Sequence, residues 1–139
     1  MLNKSWLCQG AAILTLMFAS SAVVAQESCV SLDTALTAVR AQEYAPLISQ
    51  AAEGSTPEQV EFLSFMESGS WSAVYAATPV ADPGYFFFED VEGEKQFKDV
   101  WGGVATRSER PELVAWAEEL GAPSDLAACF AESAAAIEE

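Results

Sequence analysis

The first pattern along the chain is a dense apolar run over residues 11–19, broken only by Thr15. Lys4 lies ahead of it, and the small residues Ser20, Ser21 and Ala22 lead into Val23-Val24-Ala25 behind it. A positive start, an apolar middle and tolerated residues at −3 and −1 of a cleavage point form the order of a secretory signal, which predicts a cut after Ala25. A retained anchor is the alternative, because residues 7–25 just reach the length of a spanning helix. Gln9, Thr15, Ser20 and Ser21 dilute that stretch, and the small-residue box closes it. Neither Cys8 nor Cys29 follows that box as a lipidated cysteine must.

Beyond the signal the apolar period becomes helical. Ser31 is placed to cap a helix whose Leu32, Ala35, Leu36 and Val39 follow the i, i+3, i+4, i+7 stripe of one buried face. Pro46 interrupts it and predicts a separate turn over residues 47–53, ended by Gly54. Thr56-Pro57-Glu58-Gln59 joins a capping threonine, a proline at the first helical position and a glutamine three residues after the cap. A second helix is therefore expected to carry Phe62, Leu63, Phe65 and Met66 and to stop at Gly69.

The middle third reads as sheet. Residues 71–80 are rich in strand formers, and Asp82-Pro83-Gly84 has the chemistry of a turn. Residues 85–91 form a strand, Glu92-Gly93 a two-residue hairpin turn, and residues 94–101 the returning strand. That turn sets Phe88 opposite Phe97 and Asp90 opposite Lys95, two favourable cross-strand pairs. Trp101-Gly102-Gly103 ends the sheet. Residues 108–111 then open a helix with Leu113, Trp116, Ala117 and Leu120 on one stripe, stopped by Gly121 and Pro123. Ser124 is expected to cap a last helix carrying Leu126, Cys129, Phe130, Ser133 and Ile137. The predicted fold class is α+β: two N-terminal helices, a three-stranded antiparallel meander, two C-terminal helices and one disulfide. Residues 26–139 form a single domain in this reading.

Charge narrows the range of partners. The 139 residues hold 21 acidic and 6 basic side chains and no histidine, for a net charge of −15. Cleavage after Ala25 removes Lys4 and leaves Arg40, Lys95, Lys98, Arg107 and Arg110 against the same 21 acids, a net charge of −16. Such a surface repels nucleic acid and anionic lipid and favours a cationic partner, such as a basic extracytoplasmic protein. Without its signal, the chain has no further stretch for stable membrane insertion. Cleavage also removes Cys8, and the two remaining cysteines, Cys29 and Cys129, are expected to pair in an oxidising compartment, the periplasm or the medium.

Missing residue types exclude more chemistry than those present support. Lack of histidine removes the commonest general base, the commonest zinc ligand and every Ser–His or Cys–His nucleophile. Pairing of the cysteines takes away the usual ligands of zinc, haem and iron–sulfur centres, so no metal or cofactor is expected. Glu89, Asp90, Glu92 and Glu94 cluster near one turn, but their order is not that of a calcium loop, and alternation sends Glu89 and Asp90 to opposite faces. Two carboxylates for glycoside hydrolysis would need a long cleft, which so short a chain hardly builds. The aromatic residues Trp71, Tyr75, Tyr85, Phe87 and Trp101 remain as candidates for a binding surface on or beside the sheet. The same rings also suit a core between sheet and helices. Since residues 85–88 are four aromatics in a row, either helices cover both faces or one face shows an apolar patch.

The leading functional expectation is an exported, non-enzymatic binding module, with an inhibitor of a basic extracytoplasmic enzyme as one form of it. The alternatives are a small hydrolase, using carboxylates alone or Ser70 or Ser72 with Lys95 as base, and a structural accessory of the cell envelope without a ligand.

Overall fold

The computed structural model describes residues 24–136. Most of the expected export signal and Ile137, expected on the last helix, lie outside them. In chain order come a 3-10 segment Val24–Cys29, helix α1 Ala38–Ala51 and a 3-10 turn Pro57–Gln59. Strands β1 Glu61–Ser68, β2 Trp71–Thr78, β3 Ala81–Val91 and β4 Glu94–Gly102 follow. A 3-10 turn Arg107–Glu109 leads into α2 Arg110–Leu120, and α3 Ser124–Ala135 ends the fold. The fold is α+β, with one N-terminal helix, two C-terminal helices and a four-stranded antiparallel meander in the order β1-β2-β3-β4.

The four consecutive aromatics of β3 explain the layering. Successive strand side chains point to opposite faces, and Tyr85, Phe86, Phe87 and Phe88 are all buried. Tyr85 and Phe87 join Met66, Trp71 and Ala73 against α2 and α3, around Phe130. Phe86 and Phe88 join Phe65, Val74 and Ala76 against Tyr44 and Ile48 of α1. Helices thus lie on both faces of the sheet.

This double coverage also accounts for the second expected helix, which the structure replaces with β1. The capping chemistry at Thr56 is real, since its N–H bonds the Gln59 side chain at 3.0 Å. It closes only one 3-10 turn before Val60 turns extended. Phe65 then faces α1 and Met66 faces α3, so adjacent apolar residues mark a strand buried on both sides and not a helical stripe. A bulge between Phe62 and Ser64 blurs the alternation further.

Helix α1 is displaced from its expected place. Ser31 caps nothing; Thr37 accepts the Arg40 N–H at 3.2 Å and starts the helix at Ala38. Upstream, Asp33 exchanges backbone hydrogen bonds with Glu67 of β1, which draws this stretch out of helical geometry. Val39 of the expected stripe is 73% exposed, while Tyr44 and Ile48 form the buried face. The helix also continues through Pro46. Pro46 is exposed, as is Gln42, whose carbonyl loses its donor on the solvent side, where the loss is cheapest.

The turn expected at Asp82-Pro83-Gly84 lies three residues earlier, at Pro79-Val80, where Thr78 pairs with Ala81. Asp82 and Pro83 instead sit within β3, opposite the irregularity after Ala76, a position where a proline without an N–H does not break the ladder. The Glu92-Gly93 turn forms as expected. Both residues have positive φ, 56° and 84°, and Phe88 pairs with Phe97 and Asp90 with Lys95. Helix α3 begins at Ser124 itself, with the extended Pro123 in the capping position. Gly121 closes α2 at φ 114°, and a Cβ there would come within 3.0 Å of the Trp71 ring, so two constraints demand glycine.

Cys29 and Cys129 are joined by a disulfide that fastens the N-terminal 3-10 segment to α3. At the opposite border of the sheet, β4 is an edge strand. A bulge between its pairs with Phe87 and Phe88 distorts it, and the Asp99 carboxylate occupies the Val100 N–H at 2.8 Å, two features that discourage further strand pairing.

Arg40 binds the Asp33 carboxylate through both terminal nitrogens, and one of them also donates to the Ala35 carbonyl at 2.7 Å. The Arg40 hydrogen bond, followed by the Ala35 N–H, holds the Asp33 carboxyl down to about 2 from its ordinary 3.8. A lowered folded-state pKa stabilises fully above the ordinary value and loses that contribution as pH falls from 3.8 through about 2. Titration followed by carboxyl NMR is expected to place Asp33 near 2 and to move it up towards the ordinary value in Arg40→Ala, the Ala35 N–H retaining part of the lowering. An Asp33 midpoint unmoved by that substitution would remove Arg40 as the cause.

Candidate binding surface at the Trp101–Trp116 cleft

Three of the five sequence-derived binding candidates are interior. Trp71 is 6% exposed and packs on Gly121, while Tyr85 and Phe87 contact Phe130 with ring centroids 5.1 and 5.0 Å away. None of the three offers a face to a ligand. Tyr75 is half-buried, stacked on Tyr85 at 4.4 Å. Trp101 lines an open cleft.

That cleft, of about 200 Å³, is walled by Trp101 at the end of β4, Val104 and Ala105 of the following loop, and Glu109, Glu112, Leu113 and Trp116. Residues 109, 112, 113 and 116 recur at helical spacing, so one side of α2 and its leading turn supplies a whole wall. Both indoles are braced from behind, each 5.7 Å from the buried Phe130 ring. Their outer surfaces remain partly open, and the neighbouring Val104 is exposed.

The carboxylates are positioned differently. Glu109 Oε2 accepts the Thr106 N–H at 2.6 Å and the Thr106 hydroxyl at 3.0 Å, closing a capping box ahead of α2. Those two bonds, the N–H first, lower its pKa and keep it ionised. Glu112 is exposed one turn further on. Two aromatic faces and two carboxylates therefore border one small concavity. Indole faces attract cations through their quadrupole, and adjacent carboxylates reinforce this. Thr106-x-x-Glu109 is a legible capping signal, and it could have drawn attention to Glu109 before the fold was known. Trp116 was hidden in the apolar stripe of its helix.

Ser70, Ser72 and Lys95 also come together, in a polar pocket of about 300 Å³ that includes Tyr44, Glu67 and Asp90. Ser72 is buried and shares a 2.7 Å hydrogen bond with the buried Tyr44 hydroxyl, whose pKa desolvation raises. The Lys95 ammonium lies 3.1 Å from Glu43 and 3.6 Å from Asp90. Desolvation works to lower its pKa, but the Glu43 hydrogen bond and the surrounding charges outweigh this and raise it. Lys95 is thus a cationic donor near neutral pH and not a ready base.

Glu89 and Asp90 are engaged by different lysines, Lys98 at 3.1 Å and Lys95 at 3.6 Å. Among the described residues no three acidic or cysteine side chains are grouped to hold a metal ion. Nor, among these residues, is any helix long and apolar enough to cross a membrane. The chain matches no family model, no curated protein and no solved structure. The chemistry of its own surface therefore carries the functional argument.

Proposed function

We propose that this chain is an exported binding module that captures a cationic partner, with the Trp101–Trp116 cleft as its anchor. The observation that carries this reading is the pairing of two braced indoles with Glu109 and Glu112 around one concavity of about 200 Å³. A lysine or arginine side chain of the partner fits that concavity, its stem against the indoles and its charge towards the carboxylates. The net charge of −15 steers such a partner over a longer range. An inhibitor of a basic periplasmic or secreted hydrolase, such as a lysozyme, meets both conditions. The Cys29–Cys129 disulfide supports work in an oxidising compartment after removal of the first 25 residues.

Titration of the oxidised protein with a panel of basic secreted hydrolases at low salt tests this. Binding is expected in at least one case, with tryptophan fluorescence altered. Glu112→Lys, at an exposed position without a partner among the described residues, is expected to weaken it at least tenfold, in line with reversing a charge at an interface. No detectable binding at low salt, or binding indifferent to Glu112→Lys, rejects the cleft as anchor.

A hydrolase built on Ser70 or Ser72 with Lys95 is the second reading, favoured by their shared pocket. The raised pKa of Lys95 weighs against it. Turnover of chromogenic esters that disappears in Lys95→Met would establish it.

A further inference from the structure

A further cavity, sharing no lining residue with either of these sites, lies against the N-terminal 3-10 segment, the start of α2 and the buried side of α3. It has a volume of about 570 Å³, within the range of small-molecule sites. Its floor is apolar and made of small side chains, Val114, Ala128 and Ala131, with Pro111 beside them. Its lining holds opposite charges, with Arg107 on the 3-10 turn and Arg110 at the start of α2, and Glu27 and Glu132 on the N-terminal segment and α3.

Arg110 is the informative residue. Arg40, Lys95 and Lys98 each contact carboxylates. Arg110 makes no ion pair among the described residues, and its one hydrogen bond runs from Nε to the Arg107 carbonyl at 3.2 Å. Its terminal nitrogens are left for another acceptor, and Ser108, whose hydroxyl shares a 2.8 Å hydrogen bond with Thr106, lines the same cavity. In a chain with 21 acidic residues, a guanidinium that lines one cavity with two glutamates without an ion pair to them can be joined to them by a bridging ligand. Glu132 is 9% exposed and directs Oε2 to the Ser28 N–H at 3.4 Å, so its charge is fixed at the cavity wall.

We infer that this cavity binds a zwitterionic amino acid with an aliphatic side chain. The ligand's carboxylate pairs with Arg110 and Ser108, its ammonium meets Glu27 and Glu132, and its side chain rests on Val114, Ala128 and Ala131. A ligand of zero net charge also escapes repulsion by the acidic protein, which a simple anion would feel.

Calorimetric titration of the oxidised protein with L-leucine, 4-methylpentanoate and 3-methylbutylamine separates the three contributions. Leucine is expected to bind, and each analogue, lacking one charge, to bind at least tenfold more weakly. Arg110→Gln is expected to cost leucine at least tenfold and Glu27→Gln several-fold, as for loss of a charge-assisted hydrogen bond. Both positions are exposed, and circular dichroism checks that each variant keeps its fold. Absence of leucine binding at about 10 mM, a free energy too small for a specific site, overturns the proposal. So does equal binding of all three compounds, or leucine binding unaffected by Arg110→Gln. Binding of the basic hydrolases is independent of this outcome, because Arg110 and Glu27 lie outside the Trp101–Trp116 cleft.

Discussion

Replacing Cys29 and Cys129 with alanine is expected to lower the unfolding free energy by about 4–5 kcal/mol, the chain-entropy value for a loop of this size. The disulfide joins residues 100 positions apart and therefore restricts most of the unfolded chain. Small domains have about 5–15 kcal/mol in total, so the variant should sit close to the threshold of folding. In the folded state this end is also held by the Ser28–Glu132 hydrogen bond, the Asp33–Glu67 bridge, the Arg40–Asp33 ion pair and the packing of Leu32 on the core. Guanidinium denaturation of the oxidised protein and the double variant measures the difference directly. A loss below about 1 kcal/mol would show that the unfolded chain is already compact enough for the crosslink to add little.

Phe130→Ala is expected to cost a further large amount, about 3–5 kcal/mol, as for other buried aromatic truncations. Phe130 is fully buried on α3, and four rings surround it: Tyr85, Phe87, Trp101 and Trp116. Deleting it leaves a cavity behind both indoles of the proposed anchor cleft. Stability and partner binding should therefore fall together, with the tryptophan emission shifted because Trp101 and Trp116 lose their backing. Guanidinium midpoints and emission spectra report the two effects. Retention of full affinity for a basic partner in a destabilised Phe130→Ala would separate the cleft from the core and contradict the bracing argument. Leu126, equally buried on the same helix, provides the comparison for stability: Leu126→Ala should cost about 2–5 kcal/mol.

What was legible in the chain follows from how local each signal is. The Glu92-Gly93 turn needs positive φ at both positions, and two residues suffice to set the register that joins Phe88 to Phe97. The stripe Leu113, Trp116, Ala117, Leu120 and its glycine stop are similarly contained within one helix. The cysteine pair required only a count and a compartment. These determined the α+β class, the central hairpin, the C-terminal helices and the disulfide.

The tertiary structure alone decided the rest. A strand covered on both faces loses its alternation, so Phe62, Leu63, Phe65 and Met66 looked helical until α1 and α3 were seen on either side of β1. Helix α1 lost its first turns to a bridge with Glu67, a residue more than thirty positions away that no local window includes. The aromatic candidates divided for the same reason. Alternation assigned faces to Trp71, Tyr85, Phe87 and Trp101, but only the position of α3 buried the first three and left Trp101 beside Trp116 at the surface. By itself the sequence determined an acidic, disulfide-closed chain with an export pattern and no histidine chemistry. Where carboxylates meet indoles, and where an arginine stands across a cavity from two glutamates, depends on elements far apart in the chain and was decided by their packing.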